Sequence, residues 1–214
     1  MFEKLKKKGF QILALHHAEA ILKHDMADAV TELERVLLDV QIPVEELIRG
    51  GGGEGELTQR IRRALADDYG WKKHNFEIKK IVDGEEKESV SHEIDHVKRF
   101  PTGTFVLEIE WNNKDPFFDR DLNNFRLLFD LRVMDVGVII TRSTRLQDTF
   151  RALGREVAAK YGASTTHMEK LLPRLEGGGG GGCPVLAFGI TTSKYVEDAA
   201  PIVEEDTSDG DDSE

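Results

Sequence analysis

Cysteine and long apolar runs are what this sequence most clearly lacks. Cys183 is the only cysteine among 214 residues, which excludes an internal disulfide framework and favours a reducing compartment, so we expect a cytoplasmic protein. No apolar run is long enough to cross a bilayer. The basic N-terminal segment is interrupted by Gln11 and ends at paired histidines, and it therefore makes a poor signal peptide. We expect neither a membrane protein nor a secreted one.

A surplus of basic residues is lacking as well. The formal net charge of −11 at first argues against a polyanionic partner. Nine of the acids, however, lie in residues 197–214, which contain no Lys or Arg, and the remaining 29 basic and 31 acidic residues nearly balance. This pattern predicts a single domain over residues 1–196, followed by an acidic disordered tail over 197–214. The tail could simply aid solubility, or it could compete with nucleic acid for the protein's own basic surface.

Two common phosphate-binding and metal-binding patterns are also missing. Neither glycine run, 50–53 or 177–182, is followed by Gly-Lys-Ser/Thr, so neither is a P-loop, and both are predicted to be flexible loops. His16, His17 and His24 lack the regular spacing of a zinc-binding helix. We therefore interpret these histidines as structural residues.

Helical and strand-like patterns alternate through the rest of the chain. In the first third they predict a strand at 10–15, helices within 17–39 with a break near Asp25, a short helix starting at Pro43 and a helix over 56–68. A hairpin or meander follows from about residue 76 to 111, with turns at Asp83–Gly84 and Pro101–Gly103. The rest is predicted as a helix over 119–134, a buried strand over 135–143, helices over 144–160 and 167–176, and a last strand over 183–193. Strands that alternate with helices after an antiparallel start indicate an α/β three-layer domain with a mixed sheet.

The predicted meander brings three acids close together. Glu108 and Glu110 share a face of their strand, with Ile109 and Trp111 on the other face. Like charges so arranged repel each other unless a positive ion lies between them. A hairpin can set Asp95 alongside Glu108, and three converging carboxylates suit Mg²⁺, which prefers oxygen ligands, retained waters and phosphate oxygens. The alternative is a solvated strand face whose acids are adjacent by chance.

The same residues resemble a known nuclease motif. Asp95, Glu108 and Glu110 in EIDHVKRFPTGTFVLEIEW are similar to the PD-(D/E)XK motif, and the continuation NNKDPFFDRDLNNFRLLF…DVGVIITRS resembles the BglII-type restriction endonucleases, which are related to BamHI. The resemblance is firm over about residues 90–145 and weaker in the flanking segments. It implies a restriction-endonuclease-like α/β fold with a central mixed sheet flanked by helices. It also implies Mg²⁺-dependent hydrolysis of phosphodiester bonds in double-stranded DNA.

The resemblance also implies roles for individual residues. Asp95 and Glu108 would be catalytic metal ligands, and the Ile109 carbonyl would be a further oxygen ligand. Glu110 is a catalytic candidate at the position where the general motif has lysine. Because a carboxylate cannot supply a positive charge to the phosphate, Glu110 would have to bind metal or orient the attacking water.

One more acid is a candidate by its position in the chain. Glu56, or failing that Glu54, follows the first glycine run at the start of a predicted helix. An acid there could reach a neighbouring strand end across the loop. We therefore predict that Glu56 lies near the metal site and assists catalysis.

Two polar segments are candidates for contacts with DNA. Asn112, Asn113 and Lys114 follow the strand end, where the family has DNA-contacting residues, although they could also form an ordinary turn. Asparagine can hydrogen-bond bidentately to adenine, and lysine can donate to guanine or phosphate. The second segment is a predicted loop and short helix, and its candidates are Ser164, Thr165, Thr166, His167, Lys170 and Arg174.

Taken with the resemblance, these features indicate a Mg²⁺-dependent type II restriction endonuclease. A homodimer is expected, because a two-fold palindromic site is most simply matched by a two-fold protein. The alternatives are a repair or RNA-directed nuclease, and a catalytically idle DNA-binding or acidic interaction protein of the same fold.

Overall fold

A mixed sheet forms the centre of the computed structural model, which describes residues 1–49 and 55–196. Within these ranges the strands are β1 (Gln11–Leu15), β2 (Ile42–Pro43), β3 (Lys72–Val82), β4 (Glu85–Phe100), β5 (Gly103–Ile109), β6 (Val136–Arg142), β7 (Val185–Ile190) and β8 (Tyr195–Val196). Six of them form one sheet in the order β1-β7-β6-β5-β4-β3, and β2 pairs separately with β8. β5, β6 and β7 are parallel, and the other neighbours in the large sheet are antiparallel.

Helices cover both faces of this sheet. In the part of the chain that the structure describes, the α-helices are α1 (Glu3–Lys7), α2 (Ala18–His24), α3 (Ala27–Asp39), α4 (Val44–Ile48), α5 (Glu56–Arg63), α6 (Phe117–Asp130), α7 (Thr144–Ala152), α8 (Arg155–Lys160) and α9 (Met168–Glu176). One apolar core lies between the sheet and α1 to α5, α7 and α8, and a second lies between the sheet and α6 and α9. The predicted three-layer α/β architecture is therefore confirmed.

Side chains of the central strands alternate between the two cores. Phe105 and Leu107 of β5 lie in the first core and Val106 lies in the second. All seven residues of β6 are buried, as expected for a parallel strand covered on both faces. Cys183 lies in the second core, where burial raises the pKa of its thiol to about 12. Because both faces of β5 are covered, an acidic side chain in this strand must lie in one of the two cores.

β3 and β4 extend beyond the rest of the sheet. β5 pairs with β4 only from His96 to Phe100, whereas β3 pairs with β4 along nearly its whole length. Residues 77–91, called the hairpin arm below, form a two-stranded projection that turns at Asp83 and Gly84. The predicted hairpin and its turn are confirmed.

Two predicted helices have different ends in the structure. The helix predicted over 144–160 is broken into α7 and α8, because Gly154 adopts a φ of 122°, which side chains with a Cβ rarely allow. The helix predicted over 119–134 is α6, and it ends at Asp130 because Arg132 adopts a left-handed φ of 57°.

The second glycine run, predicted as a flexible loop, forms consecutive turns between α9 and β7. A Cβ on Gly179 would lie 2.6 Å from the carbonyl oxygen of Arg174, so the close approach of two backbone segments requires glycine there. The predictions for the glycine run 50–53, for Glu54 and for the tail 197–214 lie outside the described residues.

Candidate active site

Two glutamates at the end of β5 are buried on one face of the sheet. Glu108 is 4% exposed and Glu110 is 2% exposed, whereas Ile109 and Trp111 lie in the core on the opposite face. Glu110 continues the strand, because its N–H donates to the carbonyl of Ile140 at 2.9 Å. The predicted shared face is confirmed, and the alternative of a solvated strand face is wrong.

Asp95 of β4 lies beside Glu108. The antiparallel ladder ends by pairing His96 with Leu107, so the next position in register sets Asp95 opposite Glu108. The negative charge of Asp95 contributes to the raised pKa of Glu108. The hairpin therefore brings these two acids together as predicted.

The strand is irregular at Asp95. Lys72–His74 of β3 spans two steps, whereas the matching segment of β4, Ile94–Val97, spans three. A strand with one extra residue bends locally and can redirect a side chain, which is why bulges are common beside active sites. The Asp95 side chain is 35% exposed.

α6 adds two charged residues, Arg120 and Asp121, that the predictions did not include. Arg120 Nε and Nη2 donate to Asp121 Oδ1 at 2.9 and 2.7 Å, and Nη2 also donates to Glu110 Oε1 at 3.3 Å. The other oxygen of Glu110 accepts a hydrogen bond from Asn113 Nδ2 at 2.8 Å. The sequence carries a signal for Asp121: it lies in the buried apolar stripe of α6, with Phe118, Leu122, Phe125 and Leu128.

Burial with too little positive charge perturbs these carboxyl groups. Burial raises the pKa of Glu108 to about 9, and the charges of Asp121 and Asp95 contribute further. Burial and the charge of Asp121 raise the pKa of Glu110 to about 8. Burial also raises the pKa of Asp121 itself, against the opposing effect of Arg120. The cluster is therefore short of positive charge and would be stabilised by protons or by a cation.

Carboxylate and carbonyl oxygens are the kind of ligand that a hard divalent cation prefers, but these acids are arranged differently from the prediction. Among the residues that the structure describes, no three His, Cys, Asp or Glu side chains are grouped closely enough to hold a metal. The described structure therefore does not bring Asp95, Glu108 and Glu110 into one such group, and Glu110 is engaged by Arg120 and by Asn113. Two carboxylates and a backbone carbonyl remain, a set that suits an ion which keeps several waters.

A cleft of about 480 Å³ opens beside the acids. It is lined by Gly55, Thr58, Arg62, Asp95, Ile109, Trp111, Asn112 and Asn113. Arg62 Nη2 lies 3.7 Å from Asp95 Oδ2, so α5 contributes a positive charge to this wall. Four of the residues predicted to bind metal or DNA therefore line one opening: Asp95, Ile109, Asn112 and Asn113.

Glu56 is not brought into this cleft. Its neighbours Gly55 and Thr58 line the opening, but the Glu56 carboxylate accepts a hydrogen bond from Arg49 Nη1 at 2.8 Å. Within the described ranges, no contact joins Glu56 to Asp95 or Glu108. Because successive helical residues point in different directions, α5 presents Thr58 and Arg62 to the site instead.

The two predicted DNA-binding segments lie against each other. Thr166 N–H donates to the carbonyl of Asn113, and Asp115 N–H donates to the carbonyl of Ser164, each at 2.9 Å. Lys114 and Thr165 form an isolated antiparallel bridge. Two segments 50 residues apart in the chain therefore form one surface, on which Asn113, Lys114 and Ser164 are exposed.

Several members of the second segment support the fold instead of facing solvent. Thr165, Thr166 and His167 are buried, and Thr165 Oγ1 donates to the carbonyl of Gly162. Arg174 forms an ion pair with Asp119 at 2.8 Å. Of the six predicted residues in this segment, only Ser164 and Lys170 have side chains that could contact DNA directly. The other four are buried or already paired with protein groups.

The side chain of Arg142 hydrogen-bonds to the second segment and to Trp111, the residue before the first segment. It is fully buried, and its guanidinium donates to the carbonyl of Trp111, to Thr165 Oγ1 at 2.6 Å and to Gln147 Oε1 at 3.0 Å. None of these acceptors is charged, and burial lowers the pKa of Arg142 to about 9. An arginine at the end of a strand rich in β-branched residues is the sequence signal for this role.

Comparison with known proteins identifies a family. A family model described as restriction endonuclease BglII/BglIII matches residues 10–190. No curated protein matches the chain. Among the described residues, no helix has the length and apolar character needed to span a membrane.

Proposed function

Because the chain belongs to the restriction endonuclease BglII/BglIII family, it is a type II restriction endonuclease, and we propose that it uses Mg²⁺ to cut double-stranded DNA at a short palindromic site. The family implies a site-specific deoxyribonuclease whose partner is DNA, and restriction endonucleases generally use divalent metals. The observation that carries the proposal is the buried carboxylate of Glu108, on which the charge of Asp95 acts, together with the cleft that Asp95 lines.

The residues proposed to hold the ion are Asp95, Glu108 and the carbonyl of Ile109. When bound there, Mg²⁺ would lower the pKa of a bound water and neutralise charge on the departing oxygen. Glu108 can serve as a ligand only in its ionised form, which burial alone disfavours. The proposal therefore makes Glu108 a residue whose charge depends on the presence of a cation.

Glu110 is proposed to orient the attacking water. Asn113 and Arg120 each hold one of its carboxylate oxygens, so its direction is fixed by two donors. A carboxylate that is held in this way can align a water for in-line attack on phosphorus. This proposal favours water orientation over metal binding for Glu110.

The proposed DNA contacts are Asn112, Asn113, Lys114, Ser164 and Lys170. Their support is the common surface formed by the two segments beside the cleft. The enzyme is proposed to act as a homodimer, so that two such surfaces match the two halves of a palindrome. The buried lone Cys183 is in keeping with an enzyme of the cytoplasm.

Plasmid cleavage tests this function directly. The purified chain is incubated with plasmid DNA and Mg²⁺, and the ends of the products are sequenced. We expect discrete fragments whose ends share one short palindrome, and a particle of twice the chain's mass in sedimentation. Random products, or cleavage of RNA in place of DNA, would contradict a restriction enzyme.

A further inference from the structure

Three buried acids lie where a negatively charged phosphodiester would have to approach. Glu108, Glu110 and Asp121 are each less than 5% exposed. Arg120 contacts the last two, and its charge also acts on Glu108. We propose that Arg120 is a catalytic residue that binds a non-bridging oxygen of the scissile phosphate, a role that rests on the nuclease function proposed above.

The guanidinium of Arg120 has donors left for a substrate. Arginine carries five N–H groups in a planar fork. The hydrogen bonds to Asp121 and Glu110 use Nε and Nη2, and within the described part of the chain no acceptor is found for Nη1. The side chain is 52% exposed, so Nη1 can meet an incoming phosphate, whose oxygens suit the fork geometry.

The surroundings of Arg120 hold this fork in place. Asp121 is fully buried and takes two hydrogen bonds from the guanidinium. The ring of Phe117 lies 4.5 Å from the guanidinium carbon, and such contacts attract a cation to the ring face. Asp121 is therefore a positioning residue for Arg120, and the helix α6 fixes the cation beside the strand end.

Three other arginines are less suited to this task. Arg62 Nη2 lies 3.7 Å from Asp95 Oδ2, so its charge acts on a proposed metal ligand. Arg174 is paired with Asp119. Arg126, further along α6, is 64% exposed and lies 3.9 Å from Asp130, away from the buried acids. Arg126 is therefore a matched control on the same helix.

Two measurements on Arg120→Gln, Arg120→Lys and Arg126→Gln test the proposal. Arg120→Gln keeps an amide donor for Asp121 but lacks the positive charge. In single-turnover cleavage with Mg²⁺ it should be about 100-fold to 1000-fold slower than wild type, as when a transition-state donor is lost. Arg120→Lys should recover part of this loss, and Arg126→Gln should cut like wild type.

The second measurement needs neither cleavage nor metal. In metal-free buffer, the slope of log affinity for duplex DNA against log salt should fall by about one for Arg120→Gln, because one phosphate contact is lost. Arg120→Lys and Arg126→Gln should keep the wild-type slope. Melting curves establish that each variant is folded. If Arg120→Gln is not folded, the cleavage rate of Arg120→Lys decides, because it should be slower than wild type and Arg126→Gln, and an equal rate would contradict the proposal.

The outcomes separate this proposal from the broader one. If Arg120→Gln matches Arg126→Gln in both rate and salt slope, Arg120 does not contact phosphate and the inference is wrong. If wild type binds DNA but never cuts it, the proposed nuclease function fails, while the comparison of slopes still decides whether Arg120 meets a phosphate.

Discussion

Asp95 and Glu108 lie on the neighbouring strands β4 and β5, but their surroundings differ. The Asp95 side chain is 35% exposed and has Arg62 nearby. Glu108 is buried, and within the described residues no hydrogen-bond donor contacts its carboxylate. Glu108 therefore depends on a neighbouring cation for its charge, whereas Asp95 lies in water-accessible surroundings with a guanidinium nearby.

Alanine at either position should separate cutting from binding. Asp95→Ala and Glu108→Ala remove a proposed metal ligand, so cleavage should fall by several orders of magnitude. Binding of cognate DNA in metal-free buffer should be at least as tight as for wild type, because Asp95→Ala removes a negative charge near the phosphate and Glu108 is largely protonated at neutral pH when no cation is bound. Paired cleavage and gel-shift assays measure both effects. The control is Glu93→Ala, at an exposed position on β4, the strand that also carries Asp95. Cleavage by Asp95→Ala or Glu108→Ala at a rate near that of wild type would contradict the assignment.

The metal-free protein should lose stability as the pH rises. The Glu108 pKa lies near 9 in the folded chain, against an ordinary value of 4.5, so the folded state binds more protons between these values. The stabilisation is present below about pH 4.5 and is lost as the pH approaches 9, by at most about 1.4 kcal/mol per pH unit for each such group. Urea unfolding at a series of pH values measures this slope.

Glu108→Gln should flatten that dependence, and Glu93→Gln should leave it unchanged. A divalent cation should restore stability to the wild-type protein at pH 8 to 9, because it stabilises the ionised carboxylate. An equally steep profile for Glu108→Gln would show that other groups control the pH response.

At the scale of elements, the turn between α9 and β7 requires glycine at one position and leaves room for a side chain at another. A Cβ on Gly179 would meet the backbone of Arg174, whereas a Cβ on Gly182 would find its nearest atom, on Phe129, 4.0 Å away. Gly179→Ala should therefore lower the free energy of unfolding by about 1 to 3 kcal/mol. Gly182→Ala, the matched control, should change it by less than about 0.5 kcal/mol. Equal denaturation midpoints for the two variants would contradict this account.

Elements and local faces could be predicted from the sequence because they depend on short spacing. The alternation in β5 already implied that Glu108 and Glu110 share a face, and the hairpin implied the approach of Asp95. Arg120 and Arg142 could not be found in this way, because the packing of α6 against the end of β5 and the contacts of Arg142 with Trp111 and Thr165 are set by the tertiary structure. Glu56 was misplaced for a related reason: its helix was predicted, but the rotation of that helix about its axis was not.

At the scale of the whole molecule, charge is divided unevenly along the chain. Deleting residues 197–214 removes nine negative charges, and both described cores lie outside that segment. The truncated enzyme should stay folded and bind nonspecific DNA more tightly, most clearly at low salt. Affinity measured over a salt series checks this, and an unchanged salt dependence would exclude an electrostatic role for the tail.

The burial of Cys183 gives the enzyme a practical property. Its thiol lies in the second core with a pKa near 12, so it supplies almost no reactive thiolate at neutral pH. A cysteine introduced at the exposed tip of the hairpin arm, for example Lys87→Cys, would then be the one thiol open to maleimide dyes. The natural sequence thus provides a background for site-directed fluorescent labelling without prior removal of a native cysteine.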